Sequence, residues 1–324
     1  MFGFLRGRTG ASVLRGMQKC GAIGVDTADD SVKMVQLCNA GKGVSLVAGG
    51  FKTPSADVKP GTGTWQRWAI DAIRDLTAKH KFRGKDVIAA IPAKEVFIDH
   101  IKMPNIKDGS EEKLHKAIIA KIKQKLPFEA KDAMIKCIPA EEHNAMVIAA
   151  DRKVIDRHLA IYENAGLHLK SIGVWPLALT NAYTKLFARR KVDADAVVML
   201  LEINTNCTNT VICRHESPLF ACSISVGTAD LTKDKAVTKL VLELSACKRQ
   251  FSSTYRKSRI ERLIFISTQV ELKEIYTKIA KQLEMPAQMG DYLAAVKLGD
   301  PRRGDIFRSN GQVNWATAFG LSLS

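Results

Sequence analysis

The sequence predicts an α/β protein built as two lobes, and three observations lead there. Two stretches, Gly24–Leu37 (GVDTADDSVKMVQL) and Met199–Ile212 (MLLEINTNCTNTVI), share one plan. Each reads as a short strand ending in an acid, a polar turn and a second strand. They lie about 175 residues apart, one domain's length. A chain of 324 residues, 46% of them hydrophobic, can bury a core in each half.

In order along the chain, residues 1–19 read as a basic leader, with Phe2, Phe4 and Leu5 beside Arg6, Arg8 and Arg15. Residues 21–52 give three strands, broken near Asn39–Gly41 and ending at Gly49-Gly50. The Pro-, Gly- and Thr-rich stretch 53–63 is a loop. Thr64 can cap a helix running to about residue 80, with Trp65, Trp68, Ala69, Ala72, Ile73 and Leu76 on one face. Asp86–Ile91 is a short apolar run suited to a buried strand that Pro92 ends.

Residues 93–150 read as a small β–α–β–β unit set inside the first lobe. Glu95–Ile101 alternates as a strand. Ser110, followed by Glu111 and Glu112, starts a helix that runs to Pro127. Strands follow near 133–138 and 145–150. Asp151 caps a helix that stops at Gly166, and Pro176 sits in the first turn of another through Phe187. The polar stretch 188–195 marks the lobe boundary. Strands near 196–203, 208–213 and 219–225, a helix over 234–255, a strand at Arg262–Ile266 and a helix over 270–284 complete the second half. A basic loop at 299–312 and a closing helix from about Trp315 to Leu321 follow.

Composition narrows the function classes. With Lys+Arg 49 against Asp+Glu 33, the net charge is +16. That balance suits a solvated surface, an anionic membrane face or an acidic partner. The basic residues are spread, with no aromatic-interleaved basic motif, so nucleic acid is the weakest of the partners considered. Seven cysteines follow no zinc or pairing spacing and read as core thiols of a reduced compartment. No apolar run reaches the roughly 18 residues of a membrane span. The N-terminus has no apolar stretch before a cleavage site, so the expected location is cytoplasmic. Walker A, Gly-x-Ser-x-Gly and His-Glu-x-x-His patterns are missing from the sequence.

A duplicated strand–acid–turn–strand is how a two-lobed fold of the actin and Hsp70 kind builds a phosphate site between its halves. Such a site needs converging backbone N–H groups, an acid for Mg²⁺ and a Gly-rich helix start for the base. The first turn offers Asp26, Thr27 and Ser31, with Lys33 beyond, and no glycine. Asp29 and Asp30 add carboxylates where phosphate would sit. Each like-charge contact at about 4 Å costs about 4 kcal/mol at an effective dielectric of 20. Lys33 offsets part of that if it turns inward. The second turn has Glu202, Asn204, Thr205, Asn206 and Thr208. After the 262–266 strand come Ser267 and Thr268, which suit a helix N-cap better than an adenine platform.

Together these segments resemble the PilM family of type IV pilus assembly proteins, relatives of FtsA. The family's opening IDIGSSSVKLVEL pattern is matched by Val25-Asp26 and Ser31–Leu37. Lys121–Phe128 (KIKQKLPF) ends a helix in Pro-Phe as the family does. Ala165-Gly166-Leu167 followed by Ile172–Leu179 (IGVWPLAL), and the closing Ala318–Leu323 (AFGLSL), keep the family's order and spacing.

The resemblance implies a two-lobed actin-like (Hsp70/actin/sugar-kinase) fold with an FtsA/PilM-type 1C subdomain. It divides the chain into a basic leader over 1–19, subdomain 1A over 20–92 and 151–190, and 1C over 93–150. Lobe 2 follows over 191–324, with 2B, about 227–261, cut back. In the family ATP binds between the lobes, and the cytoplasmic tail of the membrane protein PilN docks between 1A and 1C. Here that groove would involve Val96, Phe97, Ile98, Pro127 and Phe128.

The chain departs from the pattern at Glu202-Ile203-Asn204, at Ser267-Thr268-Gln269 and at the shortened 227–232 link, all of which touch nucleotide. The resemblance therefore implies a cytoplasmic adaptor, peripheral to the inner membrane. It docks a PilN-like partner, with ATP/Mg binding weakened or lost. The alternatives are an active actin-like ATPase, in which Asp26 would hold Mg²⁺, and a basic nucleic-acid-binding protein.

Overall fold

The structure, a computed structural model, describes residues 20–28, 30–39, 43–104, 111–188, 191–267, 272–298 and 313–324. The leader at 1–19, Asp29, the expected cap Ser110 and the basic loop 299–312 lie outside them. Three sheets organise the described residues.

The first sheet opens with β1 (Ile23–Ala28), β2 (Ser31–Asn39) and β3 (Val44–Lys52), an antiparallel meander. Helix α1 (Gly63–Lys79) then crosses to β4 (Asp86–Ala90), parallel to β1. The α1 cap is Thr62, whose hydroxyl accepts the Trp65 N–H at 3.2 Å, and not Thr64 as the sequence suggested. A 3₁₀ turn at Ala93–Glu95 leads into the small unit. There β5 (Phe97–Lys102), α2 (Glu111–Ile122), β6 (Ala133–Pro139) and β7 (Asn144–Asp151) form a three-stranded sheet ordered β5-β7-β6. Helix α2 stops at Ile122, one turn short of Pro127.

The chain returns through α3 (Arg152–Asn164), capped by Asp151, and β8 (His168–Gly173), which extends the first sheet beside β4. Helix α4 (Trp175–Leu186) follows, with Pro176 in its first turn. The boundary stretch holds a short helix, α5 (Lys191–Asp195), anchored by buried Asp193, which pairs with Arg262 at 2.7 Å.

The second sheet repeats the opening plan with β9 (Val197–Ile203), β10 (Thr208–Arg214) and β11 (Ser217–Ile224). Only residues 225–233 separate it from α6 (Asp234–Thr254). Strand β12 (Arg262–Ile266) lies parallel to β9. Helix α7 (Lys273–Gln282) and β13 (Ala287–Gly290) close the order β11-β10-β9-β12-β13. The inward face of α6, with Leu240, Leu244 and Phe251 at 0% exposure, contributes about 1.5–3 kcal/mol per side chain.

Two features depart from the sequence reading. The segment grouped as one lobe over 191–324 does not stay with the second sheet. Strand β14 (Val296–Leu298) pairs with β3, and the closing helix α8 (Ala316–Ser322) packs on β1, β2 and α4. The physical reason is the small-residue seam. A Cβ at Gly320 would sit 1.8 Å from the Ala178 carbonyl, and one at Gly24 would sit 2.2 Å from the Ala318 carbonyl. Cysteine usage also differs. Cys20 and Cys38 face each other across an antiparallel bridge and are joined as a disulfide, while Cys137, Cys207, Cys213, Cys222 and Cys247 are free.

Candidate functional site

Register builds the interlobe cleft. In the first hairpin Asp26 stands opposite Lys33, and in the second Glu202 stands opposite Asn209. Both acids lie near the end of their first strand, and both partners come seven positions later. The duplicated plan therefore gives each hairpin an acid with a cross-strand partner on the same face. The partner is a cation in lobe 1 and an amide in lobe 2.

Lys33 turns inward and is 3% exposed. Its Nζ lies 2.6 Å from Asp26 Oδ2 and donates to the Asn314 carbonyl at 2.9 Å. Burial on its own would lower the Lys33 pKa. Asp26, then Glu202 and Asp30, outweigh that and hold the ammonium above its ordinary value.

Glu202 is 1% exposed, and both its oxygens are taken. Oε1 accepts the Thr317 N–H at 3.1 Å and the Thr317 hydroxyl at 2.9 Å. Oε2 accepts Asn209 Nδ2 at 3.0 Å and Asn204 Nδ2 at 3.2 Å. Burial pushes the Glu202 carboxyl upward, Lys33 pulls it back, and Asp26 adds to the push. Thr317 belongs to α8 on the first sheet, so this carboxylate ties the second lobe to the first. Asn314 does the same in reverse, donating from Nδ2 to the Ile266 carbonyl at 2.9 Å.

The space left is small. The central cavity, bordered by Asp26, Lys33, Trp175, Glu202, Asn206 and Asn209, measures about 50 Å³. A neighbour bordered by Ser31, Thr53, Asn204, Thr205 and Asn314 measures about 150 Å³. Ligand cavities usually occupy about 300–1,000 Å³. Asp26 faces a lysine and Glu202 is saturated by donors, so in this arrangement the two acids do not offer an open Mg²⁺ site.

The other residues singled out from sequence divide. Ser31, Asn204, Thr205 and Asn206 border the cleft. Ser31 donates to Asp30 Oδ1 at 3.0 Å. The Asn204 N–H bonds to the Cys207 carbonyl at 2.8 Å, and the turn forms without positive φ at Asn204. Thr27 and Thr208 do not reach the cleft. Strand alternation turns Thr27 into the first core, 3.4 Å from Tyr162 Oη. Thr208 is 0% exposed and donates to the Val226 carbonyl at 2.8 Å. Ser267 is buried at the end of β12, six residues before α7 begins. Thr268 lies outside the described residues.

Of the expected groove, Phe97 packs into the core of the small unit with Ile101, Ile118 and Ile122. Val96 and Ile98, on the opposite side of the strand, pack against the central core. Pro127 is exposed and Phe128 half-buried. Sequence reasoning missed Asn209, Asn314 and Thr317. Asn209 was within reach, because the repeat places it where Lys33 stands in the first hairpin. Asn314 and Thr317 carried no signal beyond the closing AFGLSL motif that follows them.

A family model described as type IV pilus assembly protein PilM matches residues 24–238. Among solved structures, a PilM–PilN type IV pilus biogenesis complex superposes with a TM-score of 0.73 at 19% identity, covering 94% of this chain and 98% of that one. The ethanolamine utilization protein EutJ from Carboxydothermus hydrogenoformans gives 0.52 at 13% identity, covering 96% and 93%. A Bacteroides thetaiotaomicron protein with an actin-like ATPase fold gives 0.52 at 8%, covering 89% and 95%. At such identities these likenesses speak for the fold, which is actin-like. No curated protein sequence matches the chain.

Proposed function

The chain belongs to the type IV pilus assembly protein PilM family, and from that premise we propose that it is a cytoplasmic adaptor. It docks the tail of a PilN-like bitopic inner-membrane protein, and its nucleotide site is weakened or lost. One observation carries the second part. The Lys33 ammonium, which would face phosphate in a working site, is neutralised by Asp26 within the cleft. Glu202 is held by Thr317, Asn204 and Asn209. Opening this site to Mg-ATP means breaking a buried ion pair and stripping a carboxylate of its donors.

Docking is the function that remains. Among the described residues strand β5 pairs only with β7 and is an edge of its sheet, which suits strand addition by an extended tail. The entry to that edge runs through Val96, Phe97 and Ile98, with Pro127 and Phe128 at the end of the α2 segment. The net charge of +16 supports a position beside the anionic inner leaflet. No helix among the described residues is long and apolar enough to cross a membrane.

Two measurements test this reading. Calorimetry with a synthetic PilN-like tail peptide should give binding that Ile98→Asp or Phe128→Ala weakens at least tenfold. Peptide binding indifferent to both substitutions would remove the groove assignment. Calorimetry with Mg-ATP should show no micromolar affinity. Micromolar affinity that Asp26→Ala abolishes would establish the ATPase alternative.

A further inference from the structure

A second cavity, of about 460 Å³, opens where the small unit meets lobe 2. It is larger than either space in the interlobe cleft and within the range of small-molecule sites. Strand alternation builds one wall. Ile101 points into the core of the small unit, so His100 and Lys102 point out from β5 toward lobe 2. Asn144, opposite Lys102 in the β5–β7 register, shares that face. The end of α6 builds the other wall with Ser253 and Thr254, and Arg256 follows.

The polar groups here are unusually open. Ring stacking of His100 on Phe220, with centroids 4.1 Å apart, holds the imidazole in place. Its Nε2 accepts the Ala221 N–H at 3.1 Å. That acceptor role places the ring proton on Nδ1, leaving an N–H donor without a partner among the described residues. Burial keeps the ring neutral, lowering its pKa to about 4. Arg256 is exposed and has no ion-pair partner among the described residues. Lys102 donates to the Glu142 carbonyl at 3.1 Å and meets no carboxylate among the described residues. The carboxylate at the rim, Glu142, has Oε1 engaged by the Lys257 N–H at 3.1 Å. Against these donors stands one orphan acceptor. Asn144 is 1% exposed, and its Oδ1 has no hydrogen-bond partner. Its Nδ2 donates to the Glu141 carbonyl at 3.0 Å, which fixes the amide orientation.

We propose that this cavity binds a phosphorylated polyol, its oxyanion held by Arg256, Lys102 and His100 Nδ1–H and a ligand hydroxyl donating to Asn144 Oδ1. An oxyanion matches the planar guanidinium fork, and the buried orphan acceptor selects a ligand with an O–H. The same chemistry occurs on soluble glycerol phosphates and on the headgroup of phosphatidylglycerol. The site bridges the small unit and lobe 2, and the proposal does not depend on the adaptor reading.

The test uses the full chain. Calorimetry with sn-glycerol 3-phosphate should show binding that Arg256→Ala and Lys102→Ala each weaken at least tenfold. Both side chains are exposed, so neither substitution should unfold the protein. Arg249→Ala, on the exposed face of α6 and outside the cavity, should leave binding within twofold. n-Propyl phosphate, which lacks the hydroxyls, should bind several-fold less tightly. Flotation with phosphatidylglycerol-containing vesicles separates the sources: vesicle binding sensitive to Arg256→Ala, without binding of the soluble ester, assigns the lipid headgroup. Binding of neither probe overturns the proposal. So does an equal loss in Arg249→Ala, which would mean diffuse charge attraction, and so does equal affinity for n-propyl phosphate.

Discussion

Replacing Lys33 by methionine removes the buried cation paired with Asp26 and close to Glu202 while keeping most of the side chain's bulk. At the observed 2.6 Å, the Asp26–Lys33 attraction is about 6 kcal/mol at an effective dielectric of 20. Desolvation of the two ions offsets much of that in the intact pair. In the variant Asp26 loses its counter-ion while Glu202 remains buried and acidic. Removing one partner of a buried pair costs about 3–5 kcal/mol. Asp26→Asn should cost less, about 1–3 kcal/mol, because Lys33 keeps the Asn314 carbonyl and the field of Glu202. The double variant Asp26→Asn/Lys33→Met should be more stable than Lys33→Met alone, giving a clear coupling energy. Urea unfolding at pH 7 reads all three. The Lys33 pKa is raised on folding, so its stabilisation is fully present below about 10.4 and is lost only as pH climbs through the folded value. Neutral pH therefore measures the whole effect. A Lys33→Met variant within about 1 kcal/mol of the parent, or three additive values, would refute the claim that this pair closes the cleft.

Other outcomes follow from the same structure. The His100 pKa is lowered on folding to about 4, so its contribution is complete above about 6.5 and disappears as pH falls toward 4. It amounts to about 3 kcal/mol, and His100→Phe should flatten that limb of the stability–pH curve. The Glu202 carboxyl is raised on folding, so its ionisation opposes stability. Acidification from neutral toward the usual carboxylate range should relieve that cost, and Glu202→Gln should abolish the gain in urea titrations at several pH values. Gly320→Ala would place a methyl against the Ala178 backbone at 1.8 Å and should cost at least about 1–3 kcal/mol, read as a lowered melting temperature with α8 detached. Thr62→Ala should cost about 1 kcal/mol through the lost α1 cap, whereas Thr64→Ala should be nearly neutral.

Local pattern carried much of this protein into view. The strand–acid–turn–strand plan, the Asp151 cap and the helix over 234–255 all depend on neighbours a few residues away. Their periodicity and capping chemistry are therefore written in the sequence. The family motifs added order and spacing, and the fold they implied is the one observed. The short strands at 287–290 and 296–298 had no such signal, being too brief for alternation to register.

What the sequence determined alone was the pairing of acids and turns in two equivalent hairpins, because register in a tight hairpin follows from alternation and turn length. Which direction each side chain faced across the lobes was decided only in three dimensions. Thr27 and Thr208 turned into cores, while Asn314 and Thr317 arrived in the cleft from the far end of the chain. They arrived because Gly24 and Gly320 let the last helix press onto the first sheet. Contacts between residues some hundred positions apart depend on packing, and packing leaves no periodic mark for a linear reading to find.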